Sequence, residues 1–176
     1  MKHIEDTPWW ICDPEETNYC TYSDTDSIYM HAEPLLRHRH EDFDKMTAEE
    51  KDDALENIAM EYEGVVTKSY DKLAKDVFRS TEHRLEMKTE CVIRSAYFRA
   101  TRRYAQWITK QEGIANETLD VKGLEFKKAN FPPVLGKFFK KALVDVLKGA
   151  TQKEIDDRLK IFKKQILDGT IPLTQL

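Results

Sequence analysis

The sequence predicts an α+β fold: a mainly antiparallel sheet with a long backing helix, followed by a helical pair. Segments with apolar residues at helical spacing, opened by capping signals, occupy 47–79, 133–148 and 151–169. Segments in which apolar and polar residues alternate occupy 19–32, 84–94, 96–109 and 118–128. The last three follow one another with no helical segment between them, which argues against a crossover-built parallel sheet.

Residues 1–18 are expected to form an irregular arm. Pro8 and Pro14 interrupt regular structure. Trp9 and Trp10 offer flat apolar surface for packing on a core or a neighbour, or for stacking on bases. Residues 19–32 read as a β-hairpin, since Tyr, Thr and Ile flank the polar centre Ser23-Asp24-Thr25-Asp26-Ser27 and leave the aspartates at its tip. Thr47 with Glu50 makes a capping box. Leu55, Ile58, Tyr62, Val65, Ser69 and Leu73 then keep helical spacing, with Gly64 as the weak point.

In 84–94, Leu85, Met87, Thr89, Cys91 and Ile93 share one strand face and Glu86, Lys88 and Glu90 the other. In the strand expected over 96–109, Arg102 and Tyr104 fall on one face and Arg103 on the opposite one. Residues 110–117 serve as the hairpin connector. In 118–128, Leu124 and Phe126 share a face, with Gly123, Glu125 and Lys127 opposite. Pro132 and Pro133 suit a linker and helix start, which places a domain boundary near residue 130. Leu135, Phe138, Phe139, Ala142, Val146 and Leu147 mark the apolar face of the helix over 133–148, and Gly149 ends it. Thr151 and Glu154 form a second capping box, followed by Ile155, Leu159, Phe162 and Ile166 up to Gly169.

The 176 residues suit one domain or one and a half. Hydrophobic residues make up 40% and charged residues 34%, enough for a core under a very polar surface. A net charge of −4 does not announce a nucleic-acid binder in bulk. The charge is uneven, however. Glu15-Glu16, Glu49-Glu50 and Asp52-Asp53 lie early, and residues 94–164 are rich in Lys and Arg. Cys12, Cys20 and Cys91 show no metal-ligand spacing and read as reduced thiols. With no signal peptide and no apolar run of spanning length, the expectation is a soluble, intracellular, cytoplasmic chain without membrane contact.

Two carboxylates one residue apart inside β-forming sequence repel each other, and a cation offsets that cost. Mg²⁺ is a hard ion that takes oxygen ligands and bridges to phosphates. Taken alone, Asp-x-Asp also fits a solvated turn.

Tyr22-Ser23-Asp24-Thr25-Asp26-Ser27 resembles the Tyr-Gly-Asp-Thr-Asp-Ser motif of family B DNA polymerases, found at the tip of a palm hairpin. It departs only at Ser23, a small residue like the glycine it replaces. Further resemblances follow in the family's order. Residues 85–93 sit where the family has a palm strand bearing a glutamate, here Glu90. Arg102-Arg103-Tyr104-Ala105 resembles its basic segment before tyrosine. Val121-Lys122-Gly123-Leu124-Glu125-Phe126-Lys127-Lys128 resembles its Lys-x-Gly-Leu-Glu strand. Two helices then stand where the thumb begins. The likeness spans roughly 19–170 and is nearest the phage-type branch.

The resemblance implies a palm over 19–130 and a partial thumb over 131–176. It implies Asp26 as main metal ligand and catalytic residue, with Asp24 beside it, for two Mg²⁺ ions. Tyr22 and Thr25 would shape the hairpin, and Tyr22, Ser23, Thr25, Ser27, Glu90 and Glu125 would lie near the active site. Arg102, Arg103, Tyr104, Lys122, Lys127 and Lys128 would hold primer-template DNA. Lys137, Lys140, Lys141, Lys163 and Lys164 would meet duplex phosphates, or simply form solvated helix faces.

The family's other catalytic aspartate, in Asp-x-x-Ser-Leu-Tyr-Pro, has no counterpart here, nor has its fingers motif Lys-x-x-x-Asn-Ser-x-Tyr-Gly or its proofreading motifs. The expectation is therefore a polymerase fragment or subunit, inactive alone. A second polypeptide would carry the rest and bind the dNTP. A phage-encoded chain would act in the host cytoplasm. One alternative is a non-catalytic DNA-binding remnant or interaction module. Another is a glycosyltransferase-type Asp-x-Asp site, which the consecutive strands disfavour.

Overall fold

The computed structural model describes residues 19–24, 26–127 and 130–171. The expected arm over 1–18, Thr25, Lys128 and the side chain of Lys127 lie outside the described residues. The fold is α+β, with helices and antiparallel strands in separate runs. Two compact units divide the chain, Met1–Val92 with Lys110–Ile114, and Ile93–Thr109 with Ala115–Leu176.

In the first unit, β1 (Cys20–Asp24) and β2 (Ser27–Met30) form the expected antiparallel hairpin. A short helix, α1 (Glu33–Arg39), and a 3-10 turn (Phe43–Lys45) follow. Neither is evident in the sequence. Pro34 stands in the first turn, where proline costs nothing because no intrahelical N–H bond is made. The helix is held by what it packs against. Ala32, Leu35, Leu36 and Phe43 form one buried cluster with Ile58 of α2 (Ala48–Asp76). Helix α2 opens with the expected capping box between Thr47 and Glu50 and runs unbroken through Gly64.

Residues 84–90 are not part of a strand, contrary to expectation. Their alternation is real: Met87 and Thr89 are half-buried, and Glu86, Lys88 and Glu90 are exposed. The backbone, however, finds side-chain acceptors on α2 instead of a neighbouring strand. The Thr89 N–H donates to Glu63 at 2.7 Å and the Met87 N–H to Thr67 at 3.4 Å. Periodicity reports which faces are covered, not what the N–H groups bond.

The three-stranded sheet has the order β3 (Cys91–Ala100), β4 (Arg103–Gln111), β5 (Ile114–Lys122). The single strand expected over 96–109 is thus the end of one strand, a tight turn at Thr101-Arg102, and the start of the next. Arg102 sits in that turn with φ of 59°, so it shares no strand face with Tyr104. A left-handed non-glycine residue in an ordinary-looking sequence gives no turn signal. The connector expected over 110–117 shrinks to Glu112-Gly113, both at positive φ. The third strand ends at Lys122. Leu124 and Phe126 pack inward from a loop and a 3-10 turn (Glu125–Lys127), not from a shared strand face.

Within the second unit, Ala105, Trp107, Val121, Leu124 and Leu147 are buried together, with Leu119, Phe126, Leu143 and Val144 around them. Leu143, Val144 and Leu147 come from α3 (Pro133–Leu147). Helix α4 (Gln152–Leu167) opens with the expected Thr151–Glu154 capping box. It meets α3 through the Phe138–Phe162 stack at 4.1 Å and an Asp145–Arg158 ion pair. Every residue from Tyr104 to Thr109 is buried, as suits a central strand covered on both faces.

Candidate functional site

The residues expected to form a site fall in two groups, one in each unit. The first is the β1–β2 tip. Ser23 pairs with Ile28 and Asp24 with Ser27. Tyr22 and Tyr29 face each other lower down, ring centroids 5.5 Å apart. The Asp24 carbonyl accepts the Asp26 N–H at 2.6 Å and the Ser27 hydroxyl at 3.1 Å. These bonds pin the backbone under both carboxylates. Asp24 is half-buried and Asp26 is exposed. At the hairpin's base, the His31 N–H donates to the Tyr19 carbonyl at 2.7 Å. Burial pushes the Tyr62 phenol of α2 above its ordinary pKa, and the nearby Cys20 of β1 adds to the rise.

Among the described residues no group of three or more His, Cys, Asp or Glu is arranged to hold a metal ion. Asp24 and Asp26 are hard oxygen donors one residue apart on a pinned turn. That donor type fits Mg²⁺ as part of a larger ligand set. Glu90 is exposed just before β3, and its carbonyl accepts the Glu112 N–H at 2.8 Å.

The second group joins two sequence segments twenty positions apart. Gly123 has φ of 64°, and a β-carbon there would stand 2.2 Å from the Arg102 carbonyl oxygen. Arg103 meets Glu125 at 3.7 Å, both about half exposed. The Lys122 ammonium lies 5.6 Å from the centre of the Tyr104 ring, and Phe98 flanks that ring at 5.6 Å. Arg102, Arg103 and Lys122 are exposed, so the β3–β4 turn and the end of β5 present a basic surface. Tyr104 is only 4% exposed. It supports that surface from beneath.

Lys137, Lys140, Lys141, Lys163 and Lys164 are all exposed, on α3 and α4. Lys110 falls in the segment expected to be a connector. It is the next-to-last residue of β4 instead, with its ammonium bonded to both Asp53 and Glu56 of α2. Those bonds raise its pKa above the ordinary lysine value. A lysine two residues before a glycine turn gives no sign of this in the sequence.

No protein-family model matches this chain, and no curated protein matches it.

Proposed function

We propose that this chain is a carboxy-terminal palm and proximal thumb portion of a family B DNA polymerase, acting with segments supplied by another polypeptide or by a further part of the same protein. One observation carries the reading. The two segments that resemble the family's downstream motifs, Arg102–Tyr104 and Lys122–Glu125, form one basic surface that depends on a glycine at 123. The pinned Asp24–Asp26 tip adds to it.

In this reading Asp26 and Asp24 would hold Mg²⁺ together with the aspartate of the segment supplied elsewhere, and the metal would supply Lewis-acid stabilisation of negative charge on the primer 3′ oxygen and the departing pyrophosphate. The Ser27 hydroxyl and the Asp26 N–H keep the tip fixed, which limits reorganisation during reaction. Arg102, Arg103 and Lys122 grip the primer-template backbone without reading sequence. Tyr104 holds the surface in shape through its contacts with Phe98 and Lys122. No proton transfer is assigned to Glu90 or Glu125.

A second reading, a DNA-binding module without catalysis, is favoured by one feature. The basic surface is built wholly inside the second unit, on its own core, and owes nothing to Asp24 or Asp26. Fluorescence anisotropy with a labelled primer-template separates the two. The polymerase reading expects Mg²⁺ to tighten binding and Asp26→Ala to abolish that gain. Binding that ignores both Mg²⁺ and Asp26→Ala favours the module.

A further inference from the structure

Helices α3 and α4 leave one flank of their pair apolar and exposed. Phe138 stacks on Phe162 at the seam between them, and Asp145 and Arg158 join on one side of it. Successive residues of a helix turn by about 100°. Val146 and Leu159, each one place after a member of that ion pair, therefore lie towards the other side. Phe139 and Ala142 line up with Val146 at helical spacing on α3, as Ile155 and Ile166 do with Leu159 on α4. Phe139, Val146 and Leu159 are 45%, 48% and 51% exposed. Helix α4 keeps every one of its residues at least partly exposed. Single apolar side chains on a surface are ordinary, but a stripe of them along two neighbouring helices marks an interface.

The charges on its rim say what covers it. Asp156 and Lys163 are exposed and border this stripe of α4 on either side of Leu159, at helical spacing from it. The Gln152 amide donates to the Asp156 carboxylate at 2.8 Å and holds it there. Laid antiparallel on a second copy, about a two-fold axis beside Leu159, α4 sets Asp156 against Lys163 twice and Leu159 against Leu159. The same axis suits α3. Ala142 lies between Phe138 and Asp145, and Leu159 lies between Arg158 and Phe162, so the two centres stand at one level of the helix pair. An axis passing Ala142 sets Phe139 of one copy against Val146 of the other, twice, and the small side chain at the centre lets the helices approach. Parallel pairing would set Asp156 on Asp156 and Lys163 on Lys163. A shift of the axis by one turn, to Asp156 or to Lys163, would also set like on like. The order of charges thus selects a second copy, in one direction and one register.

We propose that two copies of this chain associate through the exposed flank of α3 and α4, as an antiparallel four-helix pack whose two-fold axis passes Ala142 and Leu159. Apolar burial of Phe139, Val146 and Leu159 drives the contact, and the Asp156–Lys163 pairs fix its register. The contact is isologous and closes at two. It lies wholly within the second unit and is independent of the polymerase reading.

Sedimentation equilibrium on the full chain tests this with two variants, Asp156→Lys and Lys163→Asp. Both positions are exposed, and circular dichroism checks that each variant is folded. The native chain is expected to show a monomer–dimer equilibrium. Each variant alone should dimerise at least about tenfold more weakly, because like charges then meet at both ends of the seam. An equimolar mixture of the two, in which unlike charges meet again, should regain association. A native chain that stays monomeric up to about 0.5 mM overturns the proposal, whether or not a different polypeptide occupies this flank. Variants that dimerise like the native chain, or a mixture that regains nothing, overturn it too.

Discussion

The carbonyl oxygen of Arg102 occupies the space that a β-carbon on residue 123 would need, at 2.2 Å. Gly123 is therefore required twice, for its left-handed backbone and for its missing side chain. That approach ties the turn carrying Arg102 and Arg103 to the end of β5 carrying Lys122.

Gly123→Ala should lower stability by about 2–4 kcal/mol, from the left-handed backbone and the backbone clash together. Urea unfolding of the two proteins measures it. An unchanged midpoint would mean that the turn and the strand end separate freely.

Arg102→Ala and Arg103→Ala should each weaken primer-template binding for every DNA sequence alike. Each should also reduce the slope of log K against log salt by about 1. Tyr104→Phe should leave affinity and slope unchanged, because the ring is buried beneath the basic surface and is not offered to DNA. Anisotropy titrations at several salt concentrations read all three variants.

Much of the fold is legible in the sequence where local signals agree. Both capping boxes, at Thr47 and Thr151, mark helix starts correctly because side chain and backbone bond reciprocally there. The β1–β2 hairpin is legible from its polar centre. The β3–β4 turn is not, because Thr101-Arg102 carries none of the residues that usually mark a left-handed position. Helix α1 escapes because its stability comes from Leu35 and Leu36 packing near Ile58, a contact about twenty residues distant in the chain. Of the candidate site, the residue types are legible. The support beneath them is not: Tyr104 looks like a contact residue and is buried.

Leu36→Ala should cost about 3 kcal/mol, since Leu36 is 1% exposed within the cluster that joins α1 to α2. A loss below about 1 kcal/mol in chemical denaturation would show that this cluster is not a packed core.

Stability should fall on the acid side partly through the two capping boxes. Glu50 and Glu154 accept the N–H groups of Thr47 and Thr151, and these bonds hold both carboxyls below the usual glutamate range. A depressed folded-state pKa gives stability that is complete above the unfolded-state value and is lost as pH falls through the folded one. Thermal unfolding of Glu50→Gln/Glu154→Gln across the acid range should therefore show a shallower decline than the native chain. Parallel curves would contradict this.

Asp26 is the main metal ligand of the proposed polymerase site, and primer extension tests that role. The chain is mixed with a polypeptide supplying the Asp-x-x-Ser-Leu-Tyr-Pro and Lys-x-x-x-Asn-Ser-x-Tyr-Gly segments, and extension of a labelled primer is followed with Mg²⁺ and dNTPs. Extension by the mixture is expected, with none by either component alone, and Asp26→Ala should reduce it by at least about a thousandfold. Extension that persists undiminished with Asp26→Ala, or a mixture that never extends although both parts bind the DNA together, would contradict it.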